Sequence, residues 1–166
     1  MTRSFWKRFV SSLSDEIGHA IICSPYFDGL PEPFKEISGF CRHLRTRGVK
    51  KIEIITRPPG KANAMTIETA KFLMRDDVDI YIRTQPYLHA KMYHFEYVKG
   101  YFRNFVGSSN FTIGGLERND ELMAEFEGVG NETPCHREIA RLRDKGAFPY
   151  SAWVNLKMPE GVEETT

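Results

Sequence analysis

The chain has 166 residues, of which 41% are hydrophobic, 27% charged and 13% aromatic, and its net charge is +1; this is material for one packed domain and argues against a fibrous or disordered chain. No stretch approaches the roughly 18 apolar residues of a membrane span, and Met1 to Val10 mixes Arg3, Lys7 and Arg8 with aromatic residues, so it does not read as a secretory leader. Cys23, Cys41 and Cys135 stand far apart without metal-ligand spacing, which points to reduced thiols, a cytoplasmic setting and no structural zinc.

Taken in chain order, Arg3 to Ser14 places Phe5, Phe9 and Leu13 at helical spacing. His19 to Cys23 is a short apolar strand that stops at Ser24-Pro25-Tyr26-Phe27, with Asp28-Gly29 as turn chemistry. Pro33 to Arg47 reads as a helix ending at Gly48. Val49 to Thr56 reads as a buried strand broken by Pro58-Pro59-Gly60, and Asn63 to Arg75 as a helix carrying Ile67, Ala70, Phe72, Leu73 and Met74. Val78 to Arg83 is a strand; His89 to Tyr97 and Tyr101 to Val106 form a hairpin turning near Lys99-Gly100. Glu121 to Phe126 is a last strand, a C-terminal helix is expected within 131–146 (Thr133 to Lys145 at its centre), and Glu160 to Thr166 is an acidic, frayed tail. Strands alternating with helical crossovers predict an α/β fold, a mixed sheet flanked by helices, forming a single domain over 1–166.

The small net charge hides an uneven distribution. Lys35, Arg42, Arg45, Arg47, Lys50, Lys51, Arg57 and Lys61 face only Glu36 and Glu53 in the same stretch. A local basic face suits a phosphate backbone, and Arg45 and Arg47 are the candidate substrate-binding cations. The plainer alternative is a solvated helix face followed by a strand edge.

Chemistry concentrates between Tyr87 and Glu127. His89 and Lys91, two apart at the start of an expected strand, share one face. A neutral imidazole is a nucleophile and proton carrier near neutral pH, and a lysine beside it offers a point charge to a phosphoryl oxygen. Ser108 and Asn110 are again two apart, after Gly107, whose lack of a side chain permits close approach of a ligand. Glu121 is a carboxylate able to accept from a histidine ring N–H and so fix its tautomer. His94 falls on the opposite strand face and reads as structural; His19, His43 and His136 have no lysine two residues later.

His89-x-Lys91, Gly107-Ser108-x-Asn110-Phe111-Thr112 and Asn119-x-Glu121 resemble the HKD signature of the phospholipase D superfamily, and above all its small single-motif nucleases and related restriction-type endonucleases. The likeness is strongest from Tyr87 to Glu127 and extends weakly back to Ala20 to Tyr26. It implies that His89 attacks phosphorus or protonates the leaving oxygen. It implies further that Lys91 and Asn110 bind phosphate, that Ser108 supports them by hydrogen bonding, and that Glu121 orients the histidine. Glu96 departs from the family, which usually has aspartate there, and the hairpin from Tyr97 to Gly100 is longer than in the compact nucleases. One HxK motif per chain implies a site shared across a homodimer, since double displacement uses a nucleophile and a separate general acid. The expected function is a metal-independent phosphodiesterase with no cofactor, acting as an endonuclease on DNA more than RNA, with no membrane partner. It could also serve as one subunit of a restriction or helicase assembly. The alternatives are a non-catalytic nucleic-acid targeting module of such an assembly and a phospholipid or other phosphodiester hydrolase.

Overall fold

The computed structural model describes residues 2–59, 64–130 and 134–157. Helix α1 (Thr2–Ser12) leads into β1 (Ile17–Cys23), α2 (Ile37–Thr46), β2 (Lys51–Thr56), α3 (Ile67–Arg75) and β3 (Val78–Arg83). The hairpin β4 (Met92–Tyr97) and β5 (Tyr101–Gly107) follows, then a π-helical turn at Gly114–Arg118 and β6 (Met123–Val129). Helix α4 (Pro134–Asp144), β7 (Ala147–Pro149) and α5 (Tyr150–Lys157) close the fold. The strands form one sheet in the order β6-β5-β4-β1-β2-β3-β7. β1, β2 and β3 are parallel, while β4, β5, β6 and β7 each run antiparallel to a neighbour. The mixed α/β sheet flanked by helices is the architecture the sequence predicts.

Several boundaries move, for local reasons. Helix α2 starts at Ile37 instead of Pro33, because Lys35 takes a left-handed backbone (φ 65°) and Glu36 is extended, neither of which a helix can contain. Helix α3 starts after Thr66, whose Oγ1 accepts from the Thr69 N–H at 3.1 Å, a hydroxyl cap that satisfies one of the orphan donors of the first turn. Regular β4 begins at Met92, so His89 and Lys91 occupy the extended segment before it, and β6 begins at Met123, two residues after Glu121. The expected helix starts at Asn63 and Thr133, and the acidic tail from Glu160 to Thr166, lie outside the described residues. The π-helical turn, β7 and α5 were not expected. β7 is only three residues long and ends in proline, and it exists through its pairing with Tyr81 to Arg83.

Alternation along the strands sends two different cores to the two faces. On one face Ala20, Ile22, Ile52, Ile54, Ile80, Tyr93, Phe95 and Phe105 meet helices α1, α2, α3 and α5. Phe9 of α1 is fully buried at the centre, its ring 5.5–6.0 Å from those of Phe5, Trp6, Phe40, Tyr93, Phe95, Phe105 and Phe111; Trp6 stacks on it, and the other rings meet it in the tilted and edge-on arrangements that aromatic quadrupoles favour. On the other face Ile21, Cys23, Ile55, Leu88 and Met92 pack against Ile139 and Leu142 of α4.

That second face also carries buried charge. His19 Nε2 lies 2.5 Å from Glu53 Oε2, and its Nδ1 lies 3.3 Å from Glu96 Oε2. Glu96 Oε1 meets His94 at 3.3 Å and His136 of α4 at 3.4 Å, and Arg143 of α4 reaches Glu53 Oε1 at 3.1 Å. Burial drives Glu53 up, but the His19 hydrogen bond and the charges of His19, Lys51 and Arg143 outweigh it and hold the carboxyl at about 2. Hydrogen bonds from His19 and His94 hold Glu96 well below the usual carboxylate range. Burial pulls His19 down, yet the two carboxylates leave it raised. Buried carboxylates persist because each is paired and hydrogen-bonded. His94 therefore serves the packing of α4, on the face the alternation assigned to it. Among the described residues no helix is long and apolar enough to cross a membrane.

Candidate active site

The site forms where β1 and β2 end and the hairpin begins. Two backbone bonds tie the segments together: Gly107 N–H to the Lys91 carbonyl at 3.3 Å, and Ser108 N–H to the Leu122 carbonyl at 3.1 Å. Both depend on Gly107, because a Cβ there would overlap the Leu122 carbonyl oxygen and come within 2.9 Å of the Met123 Cα. The next residues alternate in and out. Ser109 and Phe111 are fully buried, whereas Ser108 is exposed and Asn110 half-buried.

The buried pair is firmly anchored. The Ser109 carbonyl accepts from the Tyr93 hydroxyl at 2.5 Å, and Ser109 Oγ donates to the Gly115 carbonyl at 2.7 Å. The Phe111 N–H donates to Ser24 Oγ at 3.0 Å, while its ring packs 5.2 Å from both Phe40 and Tyr93. Gly115 lies so close that a Cβ on it would meet the Asn110 backbone. Asn110 is thus held on both sides in sequence, and its Oδ1 is buried without a hydrogen-bond partner among the described residues. A buried polar atom left unpaired is costly unless something else satisfies it.

His89 is exposed and Lys91 is 7% exposed. The Lys91 Nζ donates to the His89 carbonyl at 2.8 Å and lies 3.2 Å from Nδ1 and 3.4 Å from Nε2 of its ring. Burial, and then the nearby Arg57 charge, lower the Lys91 pKa, while Glu121 and Cys23 oppose the shift. Within one chain the Glu121 carboxylate accepts a short hydrogen bond from Ser108 Oγ and a long one, 3.5 Å, from Asn119 Nδ2. No hydrogen bond joins it to His89 among the described residues.

The structure therefore gathers His89, Lys91, Ser108, Asn110 and Glu121 at one end of the sheet, and leaves Arg45 and Arg47 at the other. Arg45 donates to the carbonyls of Val49, Lys50 and Asp77, and Arg47 to that of Ser14. These carbonyls precede β2, β3 and β1, and β2 separates them from its own C-terminal end by about 16 Å. The expectation that these two arginines line the substrate site is corrected: their guanidinium groups stitch loops together.

Among the described residues of that stretch, Arg57 is a cation that reaches the site. It follows β2, and because β1 and β2 are parallel it emerges beside Ser24 and Tyr26. Its Nε donates to the Leu88 carbonyl at 2.8 Å and its Nη1 to the Tyr26 hydroxyl at 2.7 Å. The sequence contains a signal for it, the first basic residue past a parallel strand end, but only once β1 and β2 are known to be neighbours. Among the described residues no group of three His, Cys, Asp or Glu side chains is arranged to hold a metal ion.

Comparisons with known proteins bear on the family and the fold. Residues 15–142 match the family model described as cardiolipin synthase, PLD-like domain. The fold is similar to that of Nuc, a phospholipase D family member from Salmonella typhimurium, at 15% identity and a TM-score of 0.58, covering 86% of this chain and 90% of that one. It is similar also to NucT from Helicobacter pylori, at 12% identity and a TM-score of 0.58, covering 90% and 92% of the two chains. No curated protein matches the sequence.

Proposed function

This chain belongs to the phospholipase D-like domain family, and on that premise we propose that it is a metal-independent phosphodiesterase, an endonuclease with a site shared by two copies of the chain. The observation that carries the reading is the pairing of an exposed His89 with a buried Lys91 whose ammonium lies against both ring nitrogens. An imidazole open to solvent can reach a phosphorus atom. A lysine already desolvated presents its charge to a phosphoryl oxygen with little reorganisation.

In the reaction, a ring nitrogen of His89 attacks phosphorus and the P–O bond to the leaving group breaks. The leaving oxygen takes a proton from the imidazolium of the partner subunit's His89. That second imidazole then removes a proton from water, which attacks the phosphohistidine, breaks the P–N bond and releases the product phosphate. Lys91, Asn110 and the free edge of Arg57 stabilise the charge that builds on the non-bridging oxygens, which is the work a metal ion does in other phosphodiesterases. Ser108 and Glu121 hold the strand ends that carry these groups. A two-fold axis at the site brings both histidines to one phosphorus.

The test is cleavage of single- and double-stranded DNA and RNA by the purified chain in excess EDTA, beside the His89→Ala variant. Cleavage by the parent in EDTA and none by the variant is expected. Strict dependence on added magnesium or zinc, or retained turnover in His89→Ala, contradicts the proposal.

A further inference from the structure

Tyr87 presents a large aromatic ring to solvent two residues before His89, with 60% of its surface exposed. It does not stand free. The Arg57 guanidinium lies 5.7 Å from its ring centroid and 4.9 Å from that of Tyr26, so one cation lies against both aromatic rings. Arg57 itself is pinned by its bonds to the Leu88 carbonyl and the Tyr26 hydroxyl, and its Nη2 donates to nothing among the described residues. A guanidinium held by two hydrogen bonds is a rigid support, so the ring above it is preorganised at little entropic cost.

We propose that Tyr87, backed by Arg57, is a stacking platform for a nucleobase next to the scissile phosphate, and that the substrate is single-stranded or locally unpaired nucleic acid. The proposal rests on the phosphodiesterase reading above and names its substrate class. Two residues of extended chain span at most about 7 Å, so the Tyr87 backbone and the His89 nucleophile are about one nucleotide apart. A base inside a duplex already has both faces covered by its neighbours, whereas an unpaired base has a π-face to offer an aromatic ring. The charge beneath Tyr87 also sorts ligands. A quaternary ammonium headgroup seeks aromatic faces, but here it meets a fixed cation on the same ring, while a polyanion is drawn in by that cation. The spare Nη2 is placed to take a phosphate oxygen of the nucleotide whose base stacks.

The experiment measures binding in the His89→Ala background, which separates stacking from turnover. A fluorescent oligothymidylate, the same oligomer with one abasic nucleotide walked along it, its duplex, and phosphatidylcholine vesicles serve as probes at fixed salt. Tyr87→Ala should weaken binding of the complete oligomer roughly tenfold or more, and Tyr87→Phe should retain it. One abasic position should cause a similar loss, and on that oligomer Tyr87→Ala should add nothing further. No binding of the oligomer, an equal loss on complete and abasic oligomers, tighter binding of the duplex, or Tyr87-dependent binding to vesicles overturns the proposal. If the parent chain cleaves nothing while Tyr87-dependent binding is seen, the phosphodiesterase reading fails and the stacking site stands. If it cleaves and the abasic pattern is missing, the reverse holds.

Discussion

Replacing Glu53 by glutamine removes one buried charge while keeping the shape of the side chain, and it should change how stability depends on pH. Glu53 is 1% exposed and paired with His19, Lys51 and Arg143, so solvent screens these contacts little. Its carboxyl lies at about 2 against an ordinary 4.5. Holding the carboxyl at about 2 makes the ionised form worth roughly 3 kcal/mol to folding. Because the folded pKa is depressed, this contribution is complete above pH 4.5 and is lost as pH falls towards 2. His19 acts in the opposite sense: its raised pKa stabilises fully below 6.5 and loses that contribution as pH rises through the folded value. Stability should therefore be greatest between about pH 4.5 and 6.5. Urea unfolding, followed by far-ultraviolet circular dichroism between pH 2 and 8, should show a fall of at least about 3 kcal/mol on the acid side, since Glu96 loses its stabilising charge there as well. Glu53→Gln should start lower by a similar amount at pH 6, since it leaves Arg143 and His19 short of a counter-charge, and should lose less on acidification. Parallel curves for the two proteins would refute the assignment.

The remaining expectations concern the site. Lys91→Ala and Asn110→Ala should each lower kcat about 100-fold with a thermal melt close to that of the parent; a change confined to KM would assign them to ground-state binding only. Arg45→Ala should lower the melting temperature, because three carbonyls lose their donor, and should leave the salt dependence of nucleic-acid binding as it was. Arg57→Gln should flatten that salt dependence, measured as the slope of log Kd against log salt. The opposite pattern would restore Arg45 to the substrate site.

Much of this was legible in the residues, and the misses share a cause. β3 coincides end to end with its predicted span, because Val78, Ile80 and Ile82 alternate cleanly. The residues His89, Lys91, Ser108 and Asn110 stand out because HxK stands immediately before a hairpin and a turn rich in glycine, serine and asparagine follows it. What spacing could not supply is which strand ends are neighbours. Arg57 joins the site, and Arg45 and Arg47 leave it, only because parallel β1 and β2 end on the same side. Glu96 reads only as a departure from the family's aspartate and Glu53 only as an acid within the basic stretch; their role depends on His19, 34 and 77 residues distant, meeting both. β7 was illegible because three residues carry no periodicity, and its pairing with β3 is tertiary.

The shared site is the central claim, and subunit mixing tests it most directly. Parent and His89→Ala chains are unfolded together, refolded at varied ratios and assayed at constant total concentration in EDTA. A mixed dimer has one histidine and so lacks either the nucleophile or the acid, and general acid–base help alone is worth about 10² to 10⁴ in rate. Activity should fall as the square of the parent fraction, because only parent homodimers hold both histidines. A linear fall, or full activity from a species that sediments as a monomer, would contradict the account.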